Sequence, residues 1–378
     1  MKTQGGLILT ADGWLRGTLT HDAGRIVALH GEPAADDAWR DGAEPLVLPG
    51  FIDLHVHGGG GADTMQAGAD AGAIDTIART HARHGTTALL ATTMTAPRGE
   101  IEAALRALAP ACARRGDGAA RVLGVHLEGP YISPDRLGAQ PAFAVAPSAA
   151  EILALAALAP IRVVTLAPEL PGALEATVAL VAAGVRVQVG HSAASYEQAC
   201  AALDAGACGF THLFNAMSGL HHRAPGAAGA ALAHALHAEL IPDLLHVHPG
   251  AMCAALRAIP GLYCVTDATA AAAMPDGEYR LGRHVVHKCG AGVRLADGTL
   301  AGSTLTMDQA LRNLVYGLGL GLAEASRRVS THAAHYLGLA DRGELRVGAF
   351  ADVVVLDAQL RVRCVVIEGQ RLEGADSA

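Results

Sequence analysis

The chain has 378 residues, of which 51% are hydrophobic and only 17% charged, and its formal net charge is −8. Such a composition can bury a large core and excludes a disordered chain. With aromatics at 3%, it offers neither a general basic field nor a stacking surface for nucleic acid or an anionic membrane, although a small anion needs only a local cluster of donors.

Short strands are predicted at both ends. Gly6–Thr10 and Gly24–Leu29 are β-like runs between Gly and Asp turns, and residues 351–357 and 362–368 read the same way. Segments 1–49 and 343–378 are therefore expected to form one small β-sandwich domain that flanks a central domain over 50–342. In that central stretch, short apolar runs alternate with helical Ala/Leu segments such as Glu100–Leu108 and Ser195–Ala205. Eight runs end near His57, Thr93, Glu128, Ala167, His191, His212, His248 and Asp267, and helices over about 308–319 and 322–336 follow. Eight strands alternating with helices predict an α/β chain with a (β/α)8 TIM-like barrel, whose chemistry sits at the C-terminal strand ends. Gly58–Gly61 is expected to be a flexible loop rather than a phosphate cradle, because no Gly-Lys-Ser/Thr follows it.

The seven cysteines never form Cys-x-x-Cys, so reduced, mostly buried thiols are expected. No apolar signal core opens the chain and no window has the length of a membrane helix. A cytoplasmic protein with no membrane or nucleic-acid partner is expected.

The run-ends carry the chemistry. His55 and His57 are two apart on a strand, so both side chains face one way. In a chain with 19 histidines, which holds a second His-x-His at His246 and His248, that pair alone is weak. Glu128, followed by Gly129-Pro130, ends the third run and could ligate one ion or bridge two. His191 and His212 end the fifth and sixth runs. Asp267 ends the eighth, as ligand, proton shuttle or helix cap. Together these six would converge on one face, and neutral imidazoles with carboxylates are a ligand set for Zn²⁺ and similar divalent ions. Residues 220–226 supply a basic loop whose Arg223 can bind phosphate bidentately. Met274 and Met307 read as packing residues. His81, His84, His234, His237, His332 and His335 read as surface or core positions.

The ordered motifs PGFIDLHVHG at 49–58, HLEGP at 126–130, VTLAPE at 164–169, GHS at 190–192, THLFNAM at 211–217, VTDA at 265–268 and LAGSTLTM at 300–307 resemble the amidohydrolase superfamily. Within it, they are similar to the deacetylases of N-acetylated hexosamine phosphates. The resemblance implies that Glu128, His191 and His212 hold a principal divalent metal, with zinc first among the candidates. It implies that His55 and His57 help hold a second one, with Glu128 shared. Many relatives in the superfamily bridge two metals through a lysine on the fourth strand, but the fourth run here has none. By the same resemblance, Asp267 takes a proton from water and returns it to the leaving amine. Asn215, the Ala216 backbone, Arg223 and His246 meet a sugar phosphate, and the Arg223 loop reaches into the neighbouring site of a homodimer. The implied reaction is deacetylation of N-acetylglucosamine 6-phosphate. One departure is Gln140, where members often carry His, and this keeps N-acetylgalactosamine 6-phosphate open. Hydrolysis of an N-acyl amino acid or cyclic amide, and a non-catalytic binding barrel, are the competing readings.

Overall fold

Eight parallel runs form the centre of the computed structural model, which describes residues 1–374. They are Phe51–Val56, Thr86–Thr93, Arg121–Glu128, Ile161–Leu166, Arg186–Val189, Gly209–Phe210, Glu239–Leu240 and Tyr263–Cys264. The first six hydrogen-bond side by side in that order, and the seventh pairs with the eighth. Main-chain bonds close both gaps: Leu213 N donates to Glu239 O at 2.9 Å and Asp267 N to His55 O at 2.9 Å. A side-chain latch reinforces the second closure, where Thr266 Oγ1 donates to Asp53 Oδ2 at 2.6 Å and Thr266 N to Asp53 Oδ1 at 3.1 Å. The first two strands are buried along their whole length, as strands covered on both faces are.

The helices expected around Glu100–Leu108 and Ser195–Ala205 are Arg98–Ala113 and Tyr196–Asp204. The second is fixed at its start by a capping box between Ser195 and Gln198. The last expected helix divides into Leu322–Val329 and Thr331–Leu337. It breaks at Ser330, whose hydroxyl donates to Gly50 O at 2.6 Å; a side chain bonded outside the helix competes with the helical ladder.

The terminal segments join in one seven-stranded sheet, in the order Gln370–Glu373, Val362–Ile367, Val353–Leu356, Leu46–Pro49, Lys2–Thr10, Gly13–Asp22 and Arg25–Ala34. Period-two alternation divides its apolar residues between two cores. Ile8, Val47, Val353 and Val355 close a small core with Leu19 and Ile26, whereas Leu7, Leu46, Leu48 and Val354 join the main one.

Four expectations change. The seventh barrel strand is Glu239–Leu240 and not a run ending at His248, because Pro242 stops it and Asp243 accepts from Leu245 N and His246 N in a turn. His248 instead caps the helix Pro249–Ala258. Gly58–Gly61 is pinned, with Gly58, Gly60 and Gly61 donating to Ala268 O, Ala272 O and Ala270 O. Of the seven cysteines, all free, only Cys264 and Cys364 are buried. An unforeseen three-stranded sheet, Gly277–Leu281, His284–Cys289 and Gly292–Arg294, packs Leu281, Val286 and Val293 on Met94. Among the described residues no helix is long and apolar enough to cross a membrane.

Sheet and barrel are tied by Glu368, which receives Arg121, Arg115 and Arg342. Burial opposes its charge, but Arg121 and Arg342 bring the carboxyl down to about 2. The folded value lies below the unfolded one, so the contribution is complete above the ordinary carboxylate range and is lost as pH falls through about 2. Glu368→Gln is therefore expected to cost on the order of 2 kcal/mol at neutral pH, after allowance for solvent screening. The difference in melting temperature should narrow as pH is lowered from about 4.5 to about 2. A pH-independent difference would refute this account.

Candidate metal centre

Each site residue stands at a C-terminal strand end. His55 lies within the first strand and His57 just beyond it. Glu128 is the last residue of the third, and His191, His212 and Asp267 follow the fifth, sixth and eighth. The chain turns away through left-handed backbone at three of them: φ is 48° at His191, 28° at His212 and 52° at Asp267. Each such conformation costs on the order of 1–3 kcal/mol for a residue with a side chain and persists only where its surroundings enforce it.

Two donor groups share one carboxylate. Glu128 Oε1 is 3.2 Å from His191 Nε2 and 3.0 Å from His212 Nε2, and the two Nε2 atoms are 3.1 Å apart. On the other side Glu128 Oε2 is 3.1 Å from His57 Nε2 and 3.5 Å from His55 Nε2. Asp267 Oδ1 lies 3.3 and 3.5 Å from the same two nitrogens, which are themselves 3.1 Å apart. All six side chains are buried.

The electrostatics favour positive charge at the mouth. Burial disfavours charge on these imidazoles, yet the carboxylates around them raise His57 to about 9 and His55 well above its ordinary value. Burial likewise works against Glu128, but His55 and the hydrogen bonds from His191 and His212 hold its carboxyl well below the usual range. Ring nitrogens and acceptor-only carboxylates form two groups that face the cavity, Glu128–His191–His212 and His55–His57–Asp267, and a third, His55–His126–Glu239, that shares His55, each with donor atoms within 4.8 Å of one another. These residues fit divalent ions of the zinc type in chemistry and in spacing.

The first two groups open into a cavity of about 220 Å³, whose rim includes Asn215, Ala216 and His246, with Met94, Leu281 and Leu300 as its apolar wall. His246 is held by Asp243, whose Oδ2 lies 2.6 Å from its Nδ1. Arg223 does not line this cavity; its loop is exposed. Gln140 enters the cavity wall, where its amide donates to Glu128 Oε2 at 2.7 Å and accepts from Thr95 N at 2.7 Å. It thus supports a carboxylate, a task that its departure from His did not suggest. Sequence reasoning also missed Glu239, which sits 2.9 Å from His55 Nδ1. A lone glutamate on a two-residue strand leaves no periodic signal. The six histidines read as structural lie outside the cavity; His81, for example, bonds Gly58 O.

A parallel barrel with imidazole–carboxylate groups at its C-terminal mouth defines a class, the hydrolases that work through divalent ions. Residues 46–372 match the amidohydrolase family. N-acetylgalactosamine-6-phosphate deacetylase of Escherichia coli O157:H7 is 44% identical over 96% of this chain and 97% of its own length. N-acetylglucosamine-6-phosphate deacetylase of Lysinibacillus sphaericus is 41% identical over 87% and 86%. The structure is similar to that of a mutant N-acetyl-D-glucosamine-6-phosphate deacetylase from Mycobacterium smegmatis in complex with N-acetyl-D-glucosamine-6-phosphate. The TM-score is 0.88 at 35% identity, covering 97% of this chain and 99% of that one. The chain belongs to the amidohydrolase family.

Proposed function

We propose that the protein removes the acetyl group from N-acetylglucosamine 6-phosphate, giving glucosamine 6-phosphate and acetate. The observation that carries this reading is the convergence of Glu128, His191 and His212 on one point in the lining of a cavity that Asp267 also lines. In this reading Glu128, His191 and His212 hold the principal ion. His55 and His57 help hold a second, with Glu128 between them, and zinc suits both groups. A divalent ion held there supplies Lewis acidity, which polarises the amide carbonyl and acidifies a water. Asp267 is placed to act as the base: burial opposes its charge, but His55 and His57 keep its carboxyl below the usual range. It takes the water's proton as the water oxygen bonds to the acetyl carbon. It then passes that proton to the amide nitrogen as the C–N bond breaks, because an amine leaves poorly unless protonated.

Asn215, the Ala216 backbone and His246 meet the sugar phosphate from the rim. Arg223, exposed on its own subunit, reaches the phosphate of a neighbouring one in a homodimer. A second reading, N-acetylgalactosamine 6-phosphate as the substrate, is favoured by the 44% identical relative that bears that name.

Acetate release from both hexosamine phosphates, before and after chelation and again after Zn²⁺ is restored, tests the proposal. Chelation should abolish release and Zn²⁺ should return it, with the gluco sugar turned over faster. Arg223→Ala should raise KM for the phosphorylated sugars by about tenfold or more and leave an unphosphorylated N-acetylhexosamine unaffected. Release from N-acyl amino acids alone would overturn the assignment.

A further inference from the structure

We propose that Glu239 is a positioning residue that uses a single carboxylate oxygen to ready both donor groups of the mouth for a cation. The inference rests on the reading of that mouth as a metal centre.

Glu239 Oε2 is 2.9 Å from His55 Nδ1 and 3.1 Å from the backbone nitrogen of His212. His55 belongs to the group with His57 and Asp267, and His212 to the group with Glu128 and His191. The contact to His55 selects a tautomer. An ionised carboxylate only accepts, so a hydrogen must sit on Nδ1, and Nε2 is the nitrogen left to ligate when a cation takes the place of its proton. That Nε2 faces His57, Glu128 and Asp267. The contact to His212 acts on backbone. His212 has a φ of 28°, and the seventh strand meets this turn twice, through the Glu239 side chain at His212 N and through its carbonyl at Leu213 N.

The other imidazoles do not depend on a side chain in this way. His191 Nδ1 lies 2.8 Å from the Arg136 carbonyl. Nδ1 of His57 and of His212 has no hydrogen-bond partner among the described residues. His55 alone is oriented by a group that one substitution removes.

Glu239 is also a poor choice for stability alone. It is fully buried, and its second oxygen, Oε1, has no hydrogen-bond partner among the described residues, only the ring nitrogen Nδ1 of His126 at 3.9 Å. A buried unsatisfied oxygen costs stability, and an apolar side chain of similar volume would avoid that cost. The carboxylate is explained by what Oε2 does to the two histidines.

The test is Zn²⁺ affinity of the full chain, measured by competition with a chromophoric chelator, alongside the melting temperature of the metal-free protein. Glu239→Met removes the acceptor and keeps the volume; it should weaken Zn²⁺ binding by about 10–100-fold, while the metal-free protein still folds but melts below wild type, because His55 Nδ1 and His212 N lose their acceptor. Glu239→Gln, whose amide oxygen can still accept, should recover part of the loss. Unchanged Zn²⁺ affinity in whichever variant folds overturns the proposal. So does failure of both variants to fold, which would make the role structural. A wild-type protein that binds no Zn²⁺ would instead overturn the metal reading beneath it.

Discussion

Asp267→Asn should yield a folded protein that still takes up metal yet turns over its substrate about 10²–10⁴-fold more slowly, the range that general acid–base groups contribute. The substitution is nearly isosteric, and asparagine tolerates the left-handed backbone found at this position, φ 52°. The main-chain bond from residue 267 to His55 O, which helps close the barrel, is independent of the side chain. What disappears is the capacity to accept a proton and return it. Acetate release under substrate saturation, with zinc content and circular dichroism on the same preparation, separates these effects. Near-normal turnover would remove Asp267 from the chemistry.

Glu128→Gln is expected to do more damage to metal binding than any single histidine substitution. One oxygen of Glu128 faces His191 and His212, and the other faces His55 and His57, so one change strikes both donor groups. The amide halves the acceptor capacity and removes the negative charge around which four imidazoles are packed. The loss of Zn²⁺ affinity should exceed the ~10–100-fold typical of a supporting residue, and turnover should fall with it. His57→Ala, which touches only one group, should retain a bound ion. Chelator competition and zinc content decide the order; a Glu128→Gln protein that binds Zn²⁺ better than His57→Ala would show that the carboxylate is not shared.

Much of the site was legible because strand ends are local signals. His55-x-His57 has the two-residue spacing of a strand face, and Glu128-Gly-Pro carries its own terminator. Single histidines closing apolar runs at His191 and His212 gained meaning only together. The seventh strand was misplaced because two residues, Glu239–Leu240, are too few to show a period. The apolar residues nearer His248 offered a more visible run. Glu239 and Gln140 were invisible as supports for the same reason: each acts on a residue more than ten positions away along the chain, and no spacing rule reaches that far.

The sequence by itself determined the barrel's alternation, the terminal strands and the chemical types that stand at the mouth, since all of these follow from short-range periodicity and turn residues. Only the tertiary structure decided which nitrogen meets which oxygen. Closing eight strands into a ring sets the angle at which each side chain enters the mouth. It divides the two oxygens of Glu128 between two donor groups and puts Glu239 behind His55. Those relations are fixed by packing between residues far apart in the chain, where local propensity has no hold.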